Sequence, residues 1–241
     1  MSIWGSLIGG MIGFSLGGPF GMLLGSLIGG RLSKARSSGT FKSFAQPQQM
    51  FALSLIVLSA KLSKADGLVS KEEIIAVKEK LKIPETEMGQ VGKIFNKAKE
   101  ESKGYEPYAK QISDIFRGNI IVLEEVINIL FYVAEADGEV SKNEELMIED
   151  IAKIFGLSQS QFESIKESRK SSDKLNPYIV LGSSPEDSLQ TIRKRYIKLS
   201  KEHHPDLLMS KGVPAEVINE SKNKMRSINS AWDQIQKLKQ N

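Results

Sequence analysis

Residues 191–206 read TIRKRYIKLSKEHHPD, and this stretch decides the fold of the C-terminal part of the chain. From Leu189 onward, apolar side chains recur at the three- and four-residue spacings that place them on one face of a helix, at Leu189, Ile192, Tyr196 and Leu199. The opposite face is basic and carries Arg193, Lys194, Lys198 and Lys201. Because proline disfavours helical geometry in the residue before it, the helix is expected to end near His204.

The flanking residues complete a small helical domain. Residues 184–187, SPED, predict a capping box with Pro185 at the first helical position. A polar loop through Gly212 leads to a second helix, one face of which carries Ile218, Ser221, Met225, Ile228, Trp232 and Ile235. Two helices joined in this way form an antiparallel hairpin. Residues 176–182 add a short third helix that closes its core.

The segments PYIVLG, TIRKRYIKLSKEH and SINSAWDQI, with the tripeptide HPD, resemble a J domain, the module that activates DnaK-type heat-shock chaperones. The resemblance implies that the tripeptide loop and the basic face of the preceding helix contact the chaperone. Carried over by position, the chaperone-binding residues are Arg193, Lys194, Lys198, His204, Pro205 and Asp206. Basic side chains on such a surface speed the encounter with an acidic partner. Two positions depart from the pattern, because Ile197 and Leu207 stand where many J domains carry a basic residue.

Other interpretations of the same residues have less support. Adjacent histidines point in different directions and no third ligand follows at metal spacing, which argues against a metal site. A His–Asp pair could serve a nucleophile, but the sequence has no nucleophile elbow and no cysteine. The short basic run at residues 193–195 is typical of a solvated helix face, so no nucleic-acid partner is expected.

The N-terminus has the composition of a membrane anchor. The first 30 residues contain no charged side chain, and about 20 apolar residues suffice to span a bilayer. Basic residues follow directly in RLSKAR, which places the N-terminus outside and the rest of the chain in the cytoplasm. Glycine recurs every four residues, at Gly5, Gly9, Gly13, Gly17, Gly21, Gly25 and Gly29. On a helix this spacing leaves a groove in which two copies can approach closely, so the sequence predicts a transmembrane helix that forms a homodimer.

Two alternatives for this segment stay open. Glycine is common in membrane helices in general, so its spacing need not indicate pairing. A hairpin could instead break at Gly17-Gly18-Pro19. Each half of such a hairpin would be too short to cross a hydrocarbon core of about 30 Å.

The middle of the chain is acidic, and its apolar spacing with regular breakers predicts about seven short helices and no strands over residues 47–170. It contains a repeat, KADGLVSKEE at residues 64–73 and EADGEVSKNEE at residues 135–145. Each copy predicts an Asp-Gly turn followed by a serine that caps the next helix, with a glutamate three residues later. Alternatively, Asp66 and Asp137 meet and form a weak acidic site for a metal ion. The paired turns resemble the TerB tellurite-resistance family, which implies two related helical halves.

The combined layout resembles the DjlA family of co-chaperones and predicts an all-α chain. The predicted parts are a transmembrane anchor over residues 1–30, a basic neck over 31–46, a TerB-like domain over 47–170, a linker over 171–175 and a J domain over 176–241. The resemblance implies a single-pass protein of the bacterial inner membrane, in contact with lipid, whose partner is a DnaK-type chaperone. No catalytic residue of its own and no cofactor are expected. The alternative is a membrane-tethered adaptor or stress sensor whose acidic middle domain binds metal ions or another protein.

Overall fold

The computed structural model of the chain describes residues 18–28, 47–64, 71–80, 82–100, 104–170, 175–213 and 218–240. Within these ranges all regular structure is helical and no strand occurs, which confirms the predicted all-α fold class. In chain order the helices are α1 (Gly18–Ile28), α2 (Pro47–Leu62), α3 (Lys71–Lys80), α4 (Glu85–Glu100), α5 (Glu106–Ile115), α6 (Ile120–Ala134), α7 (Lys142–Ile154), α8 (Gln159–Glu167), α9 (Pro177–Val180), α10 (Leu189–Glu202), α11 (Pro205–Ser210) and α12 (Asn219–Gln240). Helices α2 to α8 form the middle domain, and α9 to α12 form the C-terminal domain.

Helix α2 lies at the centre of the middle domain. It packs against α4, α5, α6 and α7, and its side chains from Met50 onward are buried on every face. A helix surrounded by other helices needs no polar face, which explains why apolar residues follow one another along it. Even Lys61 is buried, with its Nζ 5.3 Å from the centre of the Tyr108 ring.

The second copy of the internal repeat forms the predicted turn and cap. Gly138 has a φ of +147°, a conformation that side-chain-bearing residues rarely adopt. Ser141 then caps α7: its N–H donates to Glu144 Oε2 at 2.8 Å, and the Glu144 N–H donates to Ser141 Oγ at 3.2 Å. The two orphan donors at the start of the helix are therefore satisfied reciprocally. The turn of the first copy, including Asp66, lies outside the described residues.

Helix α1 is the described part of the glycine-rich N-terminus, and it packs on α4 and α5 of the middle domain. Phe20 and Leu23 are fully buried there. The Phe20 ring meets Tyr108 edge-on with ring centres 5.1 Å apart, and its N–H donates to Gln111 Oε1 at 3.1 Å. The helix starts at Gly18, whose φ of +70° lies outside helical geometry.

Helix α1 covers part of the predicted transmembrane span. Within the ranges above, the helices are either too short or too polar to cross a bilayer. Of the seven regularly spaced glycines, Gly21 and Gly25 lie in α1. The others fall outside the described residues, namely Gly5, Gly9, Gly13, Gly17 and Gly29.

Two local predictions for the C-terminal domain were wrong. Helix α10 is capped by Ser188, whose Oγ accepts the Thr191 N–H at 3.2 Å, and not by Ser184. Residues 184–187 form a separate turn, in which the Ser184 N–H donates to Asp187 Oδ2 at 3.0 Å. The expected polar loop after the tripeptide is the short helix α11, because Leu208 is fully buried and gives this segment an apolar side to pack.

Candidate functional site

The C-terminal domain has its own small core. Val180 and Leu181 from the end of α9 pack with Ile192 of α10 and with three fully buried residues of α12, Ile228, Ala231 and Ile235. The Tyr196 ring of α10 stacks on the Trp232 ring of α12, with centres 5.1 Å apart and planes 9° apart. The predicted hairpin and the short closing helix are therefore confirmed, and together they hold the end of α10 in place.

The tripeptide forms the corner between α10 and α11. His203 caps the C-terminus of α10, and His204 is the N-cap of α11, with Pro205 at the first helical position. His204 Nδ1 accepts the Asp206 N–H at 3.2 Å. In a neutral imidazole the proton then lies on Nε2, which is left as a donor. The side chains of His204 and Asp206 are 56% and 81% exposed, so both can reach a partner.

The basic side chains of α10 lead up to this corner. Exposed positions on the helix are occupied by Arg193, Lys194, Lys198 and Lys201. Lys198 Nζ lies 3.8 Å from Glu202 Oε1, a separation at which an exposed ion pair contributes little. Arg195 differs from its neighbours because it pairs with Asp187 in the turn before α10. The six residues predicted from the tripeptide and the basic face thus lie on one helix and the corner that follows it.

The inner side of the corner is buried in the middle domain. Leu208 of α11 and Val213 are fully buried, and Ile218 is 6% exposed. All three belong to the apolar core of the middle domain and not to the small core of the hairpin. The prediction that Ile218 lies on the apolar face of the second hairpin helix was wrong, because Ile218 precedes α12 and is buried in the core of the middle domain.

A buried polar contact beside these residues joins the two domains. His203 Nε2 lies 3.3 Å from Glu124 Oε2 of α6, and both side chains are less than a tenth exposed. Gln161 Nε2 donates to the other oxygen of Glu124 at 2.6 Å. Burial alone raises the pKa of Glu124, but the hydrogen bond from His203 and the charges of His203 and Lys224 outweigh it, so the net pKa is lowered.

A lysine of α12 makes the second polar contact. The side chain of Lys224 is buried, and its Nζ donates to Ser164 O at 3.1 Å, to Ser164 Oγ at 3.2 Å and to Ser168 Oγ at 3.2 Å. Burial lowers the pKa of Lys224 to about 8, against the opposing effect of Glu124 and Glu125. We call the boundary between the middle domain and the C-terminal domain the seam. Two further hydrogen bonds cross it, from Ser227 Oγ to Ser168 O at 2.6 Å and from Lys211 Nζ to Asn119 Oδ1 at 3.1 Å.

These residues between the two domains were not predicted from the sequence. One signal was available for Lys224, which lies four residues before Ile228 and therefore on the apolar side of α12. No such signal exists for Glu124, because a charged residue at an apolar position is recognised only when its partner is known. These contacts therefore join residues that only folding brings together.

The weak acidic site with Asp66 and Asp137 stays a prediction. Asp137 is exposed in the turn before α7, and its counterpart Asp66 is outside the described residues. No group of three or more side chains suited to hold a metal ion occurs in the part of the chain that the structure describes. The turn-and-cap interpretation of the repeat accounts for the described copy by itself.

Three family models match the chain in order. They are the co-chaperone DjlA transmembrane domain over residues 1–39, the tellurite resistance protein TerB over residues 52–167 and the DnaJ domain over residues 176–240. The DnaJ match covers the hairpin and corner described above, and a DnaJ domain implies a DnaK-type partner. No solved structure matches the chain significantly.

Curated relatives match over nearly the whole chain. A co-chaperone protein DjlA of Vibrio cholerae is 30% identical, with 99% of this chain and 99% of that protein covered. One from Vibrio parahaemolyticus is 30% identical over 87% of this chain and 86% of that protein, and one from Escherichia coli K12 is 26% identical over 99% of both. The order of the three domains and this full-length similarity show that the chain belongs to the DjlA family of co-chaperones.

Proposed function

We propose that this protein stimulates ATP hydrolysis by a DnaK-type chaperone through the tripeptide corner and the basic face of α10. The observation that carries the proposal is the geometry of the corner. His204 and Asp206 are exposed, while Leu208 and His203 on the inner side are buried against the middle domain. Because the buried residues already fix the corner, its polar groups lose little conformational entropy on binding.

Each group has a role that its chemistry suits. The Asp206 carboxylate accepts hydrogen bonds only and can pair with an arginine of the chaperone. His204 offers the Nε2–H as a donor because its Nδ1 is already engaged. Pro205 sets the backbone at the start of α11. The cations Arg193, Lys194 and Lys198 attract an acidic surface and therefore act mainly on the association rate.

The test is single-turnover ATP hydrolysis by a purified DnaK-type chaperone, with the full-length protein in lipid nanodiscs. The full chain is used because the proposed anchor is then present in its bilayer. His204→Gln and Asp206→Asn should abolish the stimulation while the helical content stays unchanged. Full stimulation by His204→Gln would refute the proposed role of the corner.

The basic face needs a control for net charge. Lys194→Gln should slow association with the chaperone about tenfold at low salt, with a smaller effect at high salt. Lys237→Gln removes the same charge from an exposed position near the end of α12 and should leave association unchanged. Equal effects of the two variants would mean that only net charge matters.

We further propose that residues 1–30 insert as an anchor with the N-terminus outside, so that the co-chaperone acts at the cytoplasmic membrane face. Insertion would require α1 to leave its packing on α4 and α5. The support is the charge-free segment, the basic neck that follows it and the transmembrane family model over residues 1–39. The four-residue glycine spacing supports pairing of two anchors. Gly13→Leu with Gly17→Leu should weaken self-association in a membrane reporter, whereas Ser15→Leu, off the glycine face, should not.

A further inference from the structure

A cleft lies on the seam between the middle domain and the C-terminal domain. Its volume is about 310 Å³. The middle domain contributes residues from α6 and from the segment after α8, and the C-terminal domain contributes residues from α12. Clefts between domains are preferred places for small ligands, because both walls can supply polar groups.

The walls of this cleft are strongly basic. Four cations line it, Arg169 and Lys170 from one domain and Lys224 and Arg226 from the other, and none of the described lining residues is acidic. The remaining lining residues are asparagine, serine and tyrosine, which supply neutral hydrogen-bonding groups.

Two of the four cations already have carboxylate partners. Arg169 Nε donates to Glu135 Oε1 at 2.7 Å, and its Nη1 donates to Asn128 Oδ1 at 2.7 Å. Lys170 Nζ lies 2.7 Å from Glu167 Oε2. Arg169 is thus held rigidly in the wall, whereas Lys170 is half exposed and keeps two of its three donor hydrogens for another acceptor.

Among the described residues, the hydrogen-bond partners of the other two cations are neutral oxygens. Lys224 donates to Ser164 and Ser168, and Arg226 Nη1 donates to Asn223 Oδ1 at 3.1 Å. The carboxylates of Glu124 and Glu125 favour the charged form of Lys224 but offset only part of the cost of its burial, and an anion in the cleft would offset more of that cost. The guanidinium of Arg226 also leaves donors in the fork geometry that suits a phosphate group.

We propose that this cleft binds a small phosphate-bearing anion, with Arg226 and Lys170 as its direct ligands and Lys224 as the buried charge at its base. Cations from both walls would then converge on one ligand. The ligand therefore binds the docked arrangement of the two domains better than any arrangement in which they separate, and it stabilises docking by mass action. The phosphate could belong to a free metabolite or to a lipid headgroup, since both present the same oxyanion.

The test is calorimetric titration of the full-length protein in a zwitterionic detergent with sodium pyrophosphate, in phosphate-free buffer at constant ionic strength. We expect saturable binding with a Kd below about 1 mM, weakened at least tenfold in Arg226→Gln and in Lys170→Gln. The control is Lys222→Gln, which removes the same charge from an exposed position on α12 outside the cleft and should bind like the unmodified protein.

A second arm distinguishes the source of the phosphate. Hydrogen exchange across the seam is compared in nanodiscs of phosphatidylcholine with and without phosphatidylglycerol. A headgroup ligand is supported if the anionic lipid slows exchange and Arg226→Gln removes this slowing. A soluble ligand is supported if pyrophosphate binds and the lipid has no effect. The proposal is overturned if neither ligand acts, or if Arg226→Gln and Lys222→Gln behave alike.

Discussion

Replacing Glu124 by glutamine should loosen the attachment of the tripeptide corner to the middle domain. The glutamine has the same shape and can still accept the hydrogen bond from Gln161, which is 2.6 Å in the unmodified protein. What it loses is the negative charge 3.3 Å from His203 Nε2 and near the buried ammonium of Lys224. The variant therefore isolates the electrostatic part of the seam.

The size of the effect follows from the burial of the groups. A buried hydrogen bond to a charged group contributes about 1.5–3 kcal/mol. Because the substitution also removes the attraction between Glu124 and Lys224, we expect an effect at the upper end of this range, about 2–3 kcal/mol. Because about 1.4 kcal/mol corresponds to a factor of ten, the population in which the corner is detached from the middle domain should rise roughly 30- to 150-fold.

Hydrogen exchange detected by mass spectrometry can measure this change locally. Amides in residues 205–213 should exchange faster in Glu124→Gln by that factor, while amides in α7 keep their protection. Glu139→Gln removes an exposed carboxylate from the same domain and serves as the control. If the two variants exchange alike over residues 205–213, the contact between Glu124 and His203 does not hold the corner.

Three further predictions concern stability. Burial lowers the pKa of Lys224 to about 8 from an ordinary value of 10.5. Between these pH values the unfolded chain therefore binds more protons than the folded chain. The free energy of unfolding should then rise with pH by up to about 1.4 kcal/mol per pH unit. Lys224→Met should remove that rise in urea titrations at pH 8 and pH 10, and an unchanged slope would contradict the assignment. Ser141→Ala should cost about 1 kcal/mol, because Glu144 loses its reciprocal partner, and it should lower the urea midpoint. Phe20→Ala should cost about 3 kcal/mol in detergent through its lost contact with Tyr108. No change in that variant would mean that α1 has left the middle domain in the detergent-solubilised protein, as membrane insertion of residues 1–30 requires.

Features that depend only on residues close together in the sequence could be predicted from it. The hairpin of α10 and α12 follows from apolar residues three and four apart, because helical periodicity itself places them on one face. The end of α10 before Pro205 and the cap at Ser141 follow in the same way, from sterics and hydrogen bonds within a few residues. The exposed tripeptide was identified at this level, together with the basic side chains that precede it.

The start of α10 shows where local rules become ambiguous. Both Ser184 and Ser188 stand three residues before a side chain that can complete a turn, and Ser184 was predicted as the cap. In the structure Ser184 forms a separate turn and Ser188 caps the helix. Two equivalent capping patterns in succession are distinguished only by how the following helix packs in its domain.

The seam between the domains could not be predicted, because its partners are far apart in the sequence. Lys224 and Ser164 are 60 residues apart, and His203 meets Glu124 from another domain. Periodicity shows that a side of a helix is apolar, but it does not show which of several apolar surfaces will cover it. The sequence by itself thus determined the helices, the hairpin and the exposed tripeptide, whereas only the tertiary structure decided that Leu208, Val213 and Ile218 complete the core of the middle domain.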